Sequence, residues 1–124
     1  MSGNEEAEFL RLVAPYNLRD GHDPERPFSA ERGYVGRGWH GLVKELIEDL
    51  IKFGWNREVL QIKEKCGSLR FYVVDRQPKY LDRIEATMNH SEEICELCGR
   101  AGSNVKNARG WYSTRCEACR EASD

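Results

Sequence analysis

Two Cys-x-x-Cys pairs stand near the end of the chain, Cys95-Glu-Leu-Cys98-Gly99 and Cys116-Glu-Ala-Cys119, with 17 residues between them. This spacing falls in the window of a four-thiolate zinc site, where two cysteines three positions apart reach one ion from a single turn. Cys95, Cys98, Cys116 and Cys119 are therefore expected to hold one structural Zn²⁺. Gly99 suits the tight turn after the first pair, since glycine tolerates a positive φ. The competing use of four cysteines is a pair of disulfides in a small secreted domain. Against it, the start Met1-Ser-Gly-Asn-Glu-Glu has neither a basic region nor an apolar run of the signal-peptide kind. No apolar stretch approaches the ~18 residues of a membrane span. The fifth cysteine, Cys66, has no partner if the other four bind metal. These features place the chain in the reducing cytoplasm.

The elements that position the thiols can be read around them. Thr114 could cap a helix whose first turn is Arg115-Cys116-Glu117, putting Cys119 one turn after Cys116. Val105–Ala108 and Gly110–Tyr112 could form a short hairpin between the pairs. Knuckle, hairpin and helix in that order describe a treble-clef zinc module. A site with four cysteine ligands leaves no open position for water, so the metal is expected to be structural and the protein not an enzyme. His22, His40 and His90 fall in separate segments with no partner spacing. The segment after the knuckle offers Asn104 and Asn107 but no histidine, which argues against a treble-clef nuclease. Lys65 could activate Cys66 as a nucleophile, but its turn position explains it without chemistry.

Upstream, residues 5–13 read as a short helix with Phe9, Leu12 and Val13 on one face, ended by Pro15. Residues 16–38 carry Pro24, Pro27 and several glycines without a period, and read as an ordered loop with an edge strand near Tyr34-Val35. Leu42, Val43, Leu46, Ile47, Leu50, Ile51 and Phe53 then recur at helical steps from about His40 to Phe53. Gly54 supplies a C-terminal cap, and Trp39 and Trp55 on either side are expected in the core. Residues 59–74 read as a β-hairpin turning on Cys66-Gly67, with Ile62 opposite Phe71 and Leu60 opposite Val73 on the inner face. That register puts Gln61, Lys63, Lys65, Arg70 and Tyr72 outside. A further helix starts at Pro78 and carries Tyr80, Leu81, Ile84 and Met88. The expected fold is α+β: a helix packed on a β-hairpin in a core domain of residues 1–90, and a zinc module of residues 91–124 packed on it.

With 19 Lys and Arg against 21 Asp and Glu, the net charge is −2. A general nucleic-acid binder is usually strongly basic, so a protein partner is favoured, although a local basic patch exists. Lys63, Lys65, Arg70 and Tyr72 form it, three cations around an aromatic that could bind an acidic protein surface or a phosphate backbone. The other reading is a charged solvent face that stops a two-stranded sheet from pairing edge to edge.

Gly38-Trp39, the run Lys63-Glu-Lys-Cys-Gly-Ser-Leu-Arg-Phe-Tyr72, Ser91, Cys95-Glu-Leu-Cys-Gly99, Gly110-Trp111 and Thr114-x-Cys116 together resemble a family of small, uncharacterised zinc-ribbon-like proteins of bacteria and phages. The resemblance covers roughly residues 33–120. Within it, Phe is usual where this chain has Cys66, implying that Cys66 fills a hydrophobic position. It carries no activity, but it implies a phage-like origin and an inhibitor of a host defence complex, of the anti-CRISPR kind. A nucleic-acid-binding regulator using the hairpin face is the alternative, and a zinc-containing nuclease comes last.

Overall fold

The structure, a computed structural model, describes residues 2–123, so Met1 and Asp124, the outer ends of the two expected domains, lie outside the described residues. Its architecture is α+β, with helices packed on a mixed sheet and a smaller hairpin unit at the end of the chain.

Helix α1 (Ser2–Val13) buries Phe9 and Val13, and gives way to a 3₁₀ turn over Ala14–Tyr16, where Pro15 cannot supply a helical N–H. The segment expected as a loop with an edge strand near Tyr34-Val35 contains three short strands, β1 (Arg19–Asp20), β2 (Asp23–Pro27) and β3 (Gly33–Tyr34), the last close to the expected place. Two of them join β4 (Glu58–Lys65) in parallel, Arg19 opposite Glu58 and Gly33 opposite Ile62. Strand β5 (Ser68–Val73) pairs with β4 from the other side. The hairpin is therefore not a free two-stranded sheet, because β4 is covered along both edges. Buried Asp20 helps to pin this segment: it accepts a hydrogen bond from the His22 N–H and pairs with Arg32 at 3.1 Å, both of which favour its charged form.

Helix α2 (His40–Lys52) follows a 3₁₀ turn at Arg37–Trp39 and buries Val43, Leu46, Ile47 and Leu50 completely. It ends in a Schellman arrangement: the Gly54 N–H bonds to the Ile51 carbonyl and the Trp55 N–H to that of Leu50, with Gly54 at φ 97°. Phe53, expected on the apolar face, is instead 44% exposed. The helix has already closed at Lys52, and the chain reverses over Gly54 so that Trp55 fills the buried place.

Cys66 and Gly67 both have positive φ, 54° and 76°, the signature of a two-residue turn whose twist matches its strands. Ile62 faces Phe71 as the alternation predicts, and Lys63 faces Arg70. The expected Leu60–Val73 pair is corrected: Val59 pairs with Val73, and the register shifts between Val59 and Gln61. Val59 and Ile62 are both fully buried yet three positions apart, which strict alternation forbids. An extra residue in the strand, Leu60, reconciles them as a β-bulge. Helix α3 (Pro78–Ser91) lies on β5 and α2, burying Tyr80, Ile84 and Thr87. Among the described residues no helix is long and apolar enough to cross a membrane.

Candidate metal centre and its docking surface

The first cysteine pair sits in a tight knuckle. Ile94 bridges Ala101, the Cys95 N–H bonds to the Arg100 carbonyl at 2.7 Å, and the Gly99 N–H returns to the Cys95 carbonyl at 2.9 Å. Gly99 has φ 83°, as the turn requires. Next comes an antiparallel hairpin, β6 (Ser103–Lys106) and β7 (Tyr112–Arg115), then helix α4 (Glu117–Ser123). The hairpin exists as expected, but both strands lie farther from its turn than the expected spans of Val105–Ala108 and Gly110–Tyr112. Residues 107–111 are all needed to close the turn.

Helix α4 begins at Glu117, so Thr114 does not cap it. Thr114 is a buried residue of β7. Cys116, just before the helix, takes the capping position, its Sγ accepting the Cys119 N–H at 3.4 Å. The knuckle and this helix start bring together the sulfurs of Cys95, Cys98, Cys116 and Cys119, all within 4.8 Å of one another. A tetrahedral ion with sulfurs ~2.3 Å away has edges of ~3.8 Å between them, and Cys98 and Cys116 stand 3.5 Å apart. Four sulfurs at such spacing can hold a metal ion. A disulfide would instead need a pair at ~2.05 Å.

The electrostatics suit a cation. Burial opposes ionisation of Cys95, but N–H groups of Cys116, Cys98 and Leu97 outweigh it and hold the thiol at about 6. The Cys119 N–H lowers Cys116. Cys119 is pushed up to about 12, first by its hydrogen bond with Cys116. The Arg100 N–H pulls Cys98 down, but burial and its bonds with Cys116 and Cys95 outweigh that and raise this thiol as well. Two sulfurs thus lean towards thiolate and two resist, because crowded negative charge needs a positive centre among it. Cys66 is outside the cluster. It is exposed, correcting the hydrophobic role implied for it, because the first residue of the β4–β5 turn points away from the core.

The motif residues Gly38, Trp39, Gly67, Ser91 and Thr114 turn out to meet where the metal module docks on the sheet and helices. The Gly38 N–H donates to the Glu96 carbonyl at 2.9 Å, and the Trp39 indole N–H to that of Ile94 at 2.8 Å. The Thr114 hydroxyl donates to the Gly67 carbonyl and accepts from Asn104, which also donates to the Cys66 carbonyl. The Leu69 N–H donates to the Ser91 hydroxyl. Glu96 and Thr114 exchange two more bonds: the Glu96 N–H reaches the Thr114 carbonyl, and the Glu96 carboxylate accepts the Thr114 N–H, both at 2.9 Å. Sequence reasoning missed Glu96 and Asn104, because neither carries a periodic or spacing signal.

Gly38 allows the closest of these approaches. A Cβ there would stand 2.0 Å from the Cys95 carbonyl oxygen and 2.6 Å from the Gly99 nitrogen, both backbone atoms that cannot swing aside. Gly38→Ala should therefore destabilise the chain by ~1–3 kcal/mol and speed metal loss to a chelator. A urea midpoint and chelation rate equal to wild type would show that the knuckle does not depend on this contact.

The hairpin patch is partly assembled. Lys63 and Arg70 are direct cross-strand neighbours, and the Lys63 ammonium lies 6.0 Å from the centre of the Tyr72 ring. Lys65 stands two pairs further along, opposite Ser68. On its other side Lys63 is in register with Tyr34, whose hydroxyl donates to Glu5 and is held up at about 12 by that bond. Among the described residues the ion pairs are Arg32–Asp20, Arg37–Glu8 and Arg83–Asp49, and none involves the three patch cations. No family model, curated protein or solved structure matches this chain.

Proposed function

We propose that the protein holds one structural Zn²⁺ on Cys95, Cys98, Cys116 and Cys119 in a treble-clef-like module, and acts without catalysis by binding another macromolecule. The observation that carries this reading is the four-sulfur cluster, whose spacing suits a tetrahedral ion and whose four protein ligands would close the coordination sphere to water. Elemental analysis of the purified protein tests it directly: one zinc per chain is expected, and protein free of zinc that keeps its fold would end the proposal.

The partner is a protein with an acidic surface, met through the outer face of the β4–β5 hairpin. Lys63, Lys65 and Arg70 support this, as cations in no ion pair among the described residues, beside Tyr72, which is 36% exposed. Cytoplasmic action as a phage-type inhibitor of a host defence complex, of the anti-CRISPR kind, is the role we attach to this surface, on the motif resemblance alone. Reversing two charges, Lys63→Glu with Arg70→Glu, should leave zinc content and the urea midpoint in place and weaken partner binding roughly 30-fold or more. Moderate salt should weaken binding far less than the ~10³–10⁵ typical of many phosphate contacts. Unchanged affinity in the double variant would reduce the face to a solvated surface.

A further inference from the structure

The largest exposed side chain on the molecule lies on the β6–β7 hairpin rather than on the sheet. Trp111 is 70% exposed and its neighbour Tyr112 is 48% exposed. Both remaining tryptophans, Trp39 and Trp55, are buried. An isolated surface aromatic asks for no explanation, but two adjacent ones on an ordered hairpin do. The turn that presents them is closed by Asn107. Its N–H donates to the Trp111 carbonyl at 2.9 Å, while its side-chain oxygen accepts the N–H groups of Arg109 and Trp111 at 2.9 and 3.0 Å. Gly110, at φ 87°, completes the reversal with a bond to the Asn107 carbonyl. Both backbone polar groups of Trp111 are thus held, and the indole is displayed from a fixed point rather than from a loose loop.

Charge along the hairpin's own sequence is of one sign. From Gly99 to Cys116 the chain carries Arg100, Lys106, Arg109 and Arg115 and no carboxylate, on a protein whose net charge is −2. Lys106 is cross-strand from Tyr112, its ammonium 5.9 Å from the ring centre. Arg109 is exposed in the turn itself. Two cations and two rings lie together over a few residues: Lys106, Arg109, Trp111, Tyr112. An acidic protein segment could answer the cations but offers carboxylates where rings need a flat partner. A nucleic-acid duplex could answer the charge, but its bases are already stacked on each other. Unpaired nucleotides satisfy both requirements, with bases free to stack and a phosphate at each step.

We propose that the tip of the β6–β7 hairpin binds single-stranded polynucleotide, with one or two bases stacked on Trp111 and Tyr112 and the flanking phosphates on Lys106 and Arg109. Stacking and phosphate contacts are common to DNA and RNA, and nothing in the tip addresses a 2′-hydroxyl, so both serve as ligands. This surface is separate from the Lys63–Arg70 face and stands or falls independently of it.

The burial of Trp39 and Trp55 makes tryptophan fluorescence a reporter of Trp111. Titrating the zinc-loaded protein with oligo(dT) and oligo(U) fifteen-mers should give saturable quenching. The affinity should fall with salt at a log–log slope of about −0.7 for each phosphate held, or roughly −1.4 for the two on Lys106 and Arg109. By fluorescence anisotropy of labelled oligonucleotide, Trp111→Ala should weaken binding roughly 5- to 150-fold, while Trp111→Phe keeps most of it. Arg109→Glu, a change in the turn that leaves the indole in place, should weaken binding and flatten the salt slope. Zinc content and urea midpoint should match wild type in all three variants. No saturable quenching by either oligonucleotide overturns the proposal, as does undiminished binding by Trp111→Ala. Equal affinity for a duplex of the same length also overturns it, as does binding of polyglutamate in place of the oligonucleotides, which would assign the tip to an acidic protein.

Discussion

Cys95→Ser or Cys116→Ser should release the metal and unfold the chain after about residue 90, while residues 5–90 remain folded. The two halves of this outcome have separate causes. Past residue 90 there is little apolar burial: the core cluster runs from Phe9 to Ile84, and among the described residues of the later segment only Ile94 packs against it. The hairpin and α4 must therefore draw their order from the metal, as small metal-stapled units do, where apparent zinc-binding energies of ~10–16 kcal/mol act as folding energy. The core in turn is tied to the module by hydrogen bonds at a few points, Gly38 to Glu96, Trp39 to Ile94, Thr114 to Gly67 and Asn104 to Cys66, rather than by shared apolar burial. Elemental analysis should fall from one zinc per chain to none. Amide exchange should lose protection in β6, β7 and α4 while α2, β4 and β5 keep theirs. Acidification should mimic the substitution, because thiolates must stay deprotonated to hold the ion, so metal is lost as pH falls. Full zinc retained in both variants would mean that the sulfurs are not the ligands. Global unfolding would mean that the module is an integral part of the core.

Leu46→Ala should cost ~2–5 kcal/mol, comparable with the whole stability of many domains of this size. Leu46 is fully buried in the middle of α2, between Val43, Ile47 and Leu50, which are equally inaccessible. The cavity left by truncation would be walled by helix and sheet that cannot collapse into it independently. Phe53→Ala offers the internal comparison. That side chain is larger but 44% exposed beyond the helix end, and its loss should stay within ~0.5 kcal/mol. Urea melts of the two variants decide the matter. A shift of only a few tenths of a kcal/mol for Leu46→Ala, or a larger one for Phe53→Ala, would place the core elsewhere.

The contrast between Leu46 and Phe53 marks where reading the chain ends and the folded structure takes over. Periodicity located α2 and its buried stripe, because an amphipathic helix writes its phase into every third or fourth residue. It could not say that the helix closes at Lys52, since the Schellman closure depends on Trp55 finding a buried site. The Cys66-Gly67 turn and the Ile62–Phe71 pair were legible for the same local reason, turn chemistry and a two-residue period. The Leu60 bulge was not, because it resolves a conflict between Val59 and Ile62 that exists only once both are pressed against the helices. Strand β1, of two residues, is too short to carry a period, and neither its place nor the parallel pairing of β1 and β3 was legible, since both form because β4 offers an edge.

The same division runs through the metal centre. Two Cys-x-x-Cys pairs at the right separation announced the four sulfurs, since ligand geometry constrains neighbours in the chain. Thr114, Glu96, Asn104 and Gly38 take their roles from residues far away in sequence, and only packing could assign them. Exposure is likewise decided by the fold. Trp39, Trp55 and Trp111 are alike as letters, yet two fill the core and one stands in water, because the turn closed by Asn107 carries Trp111 beyond the reach of any neighbouring element.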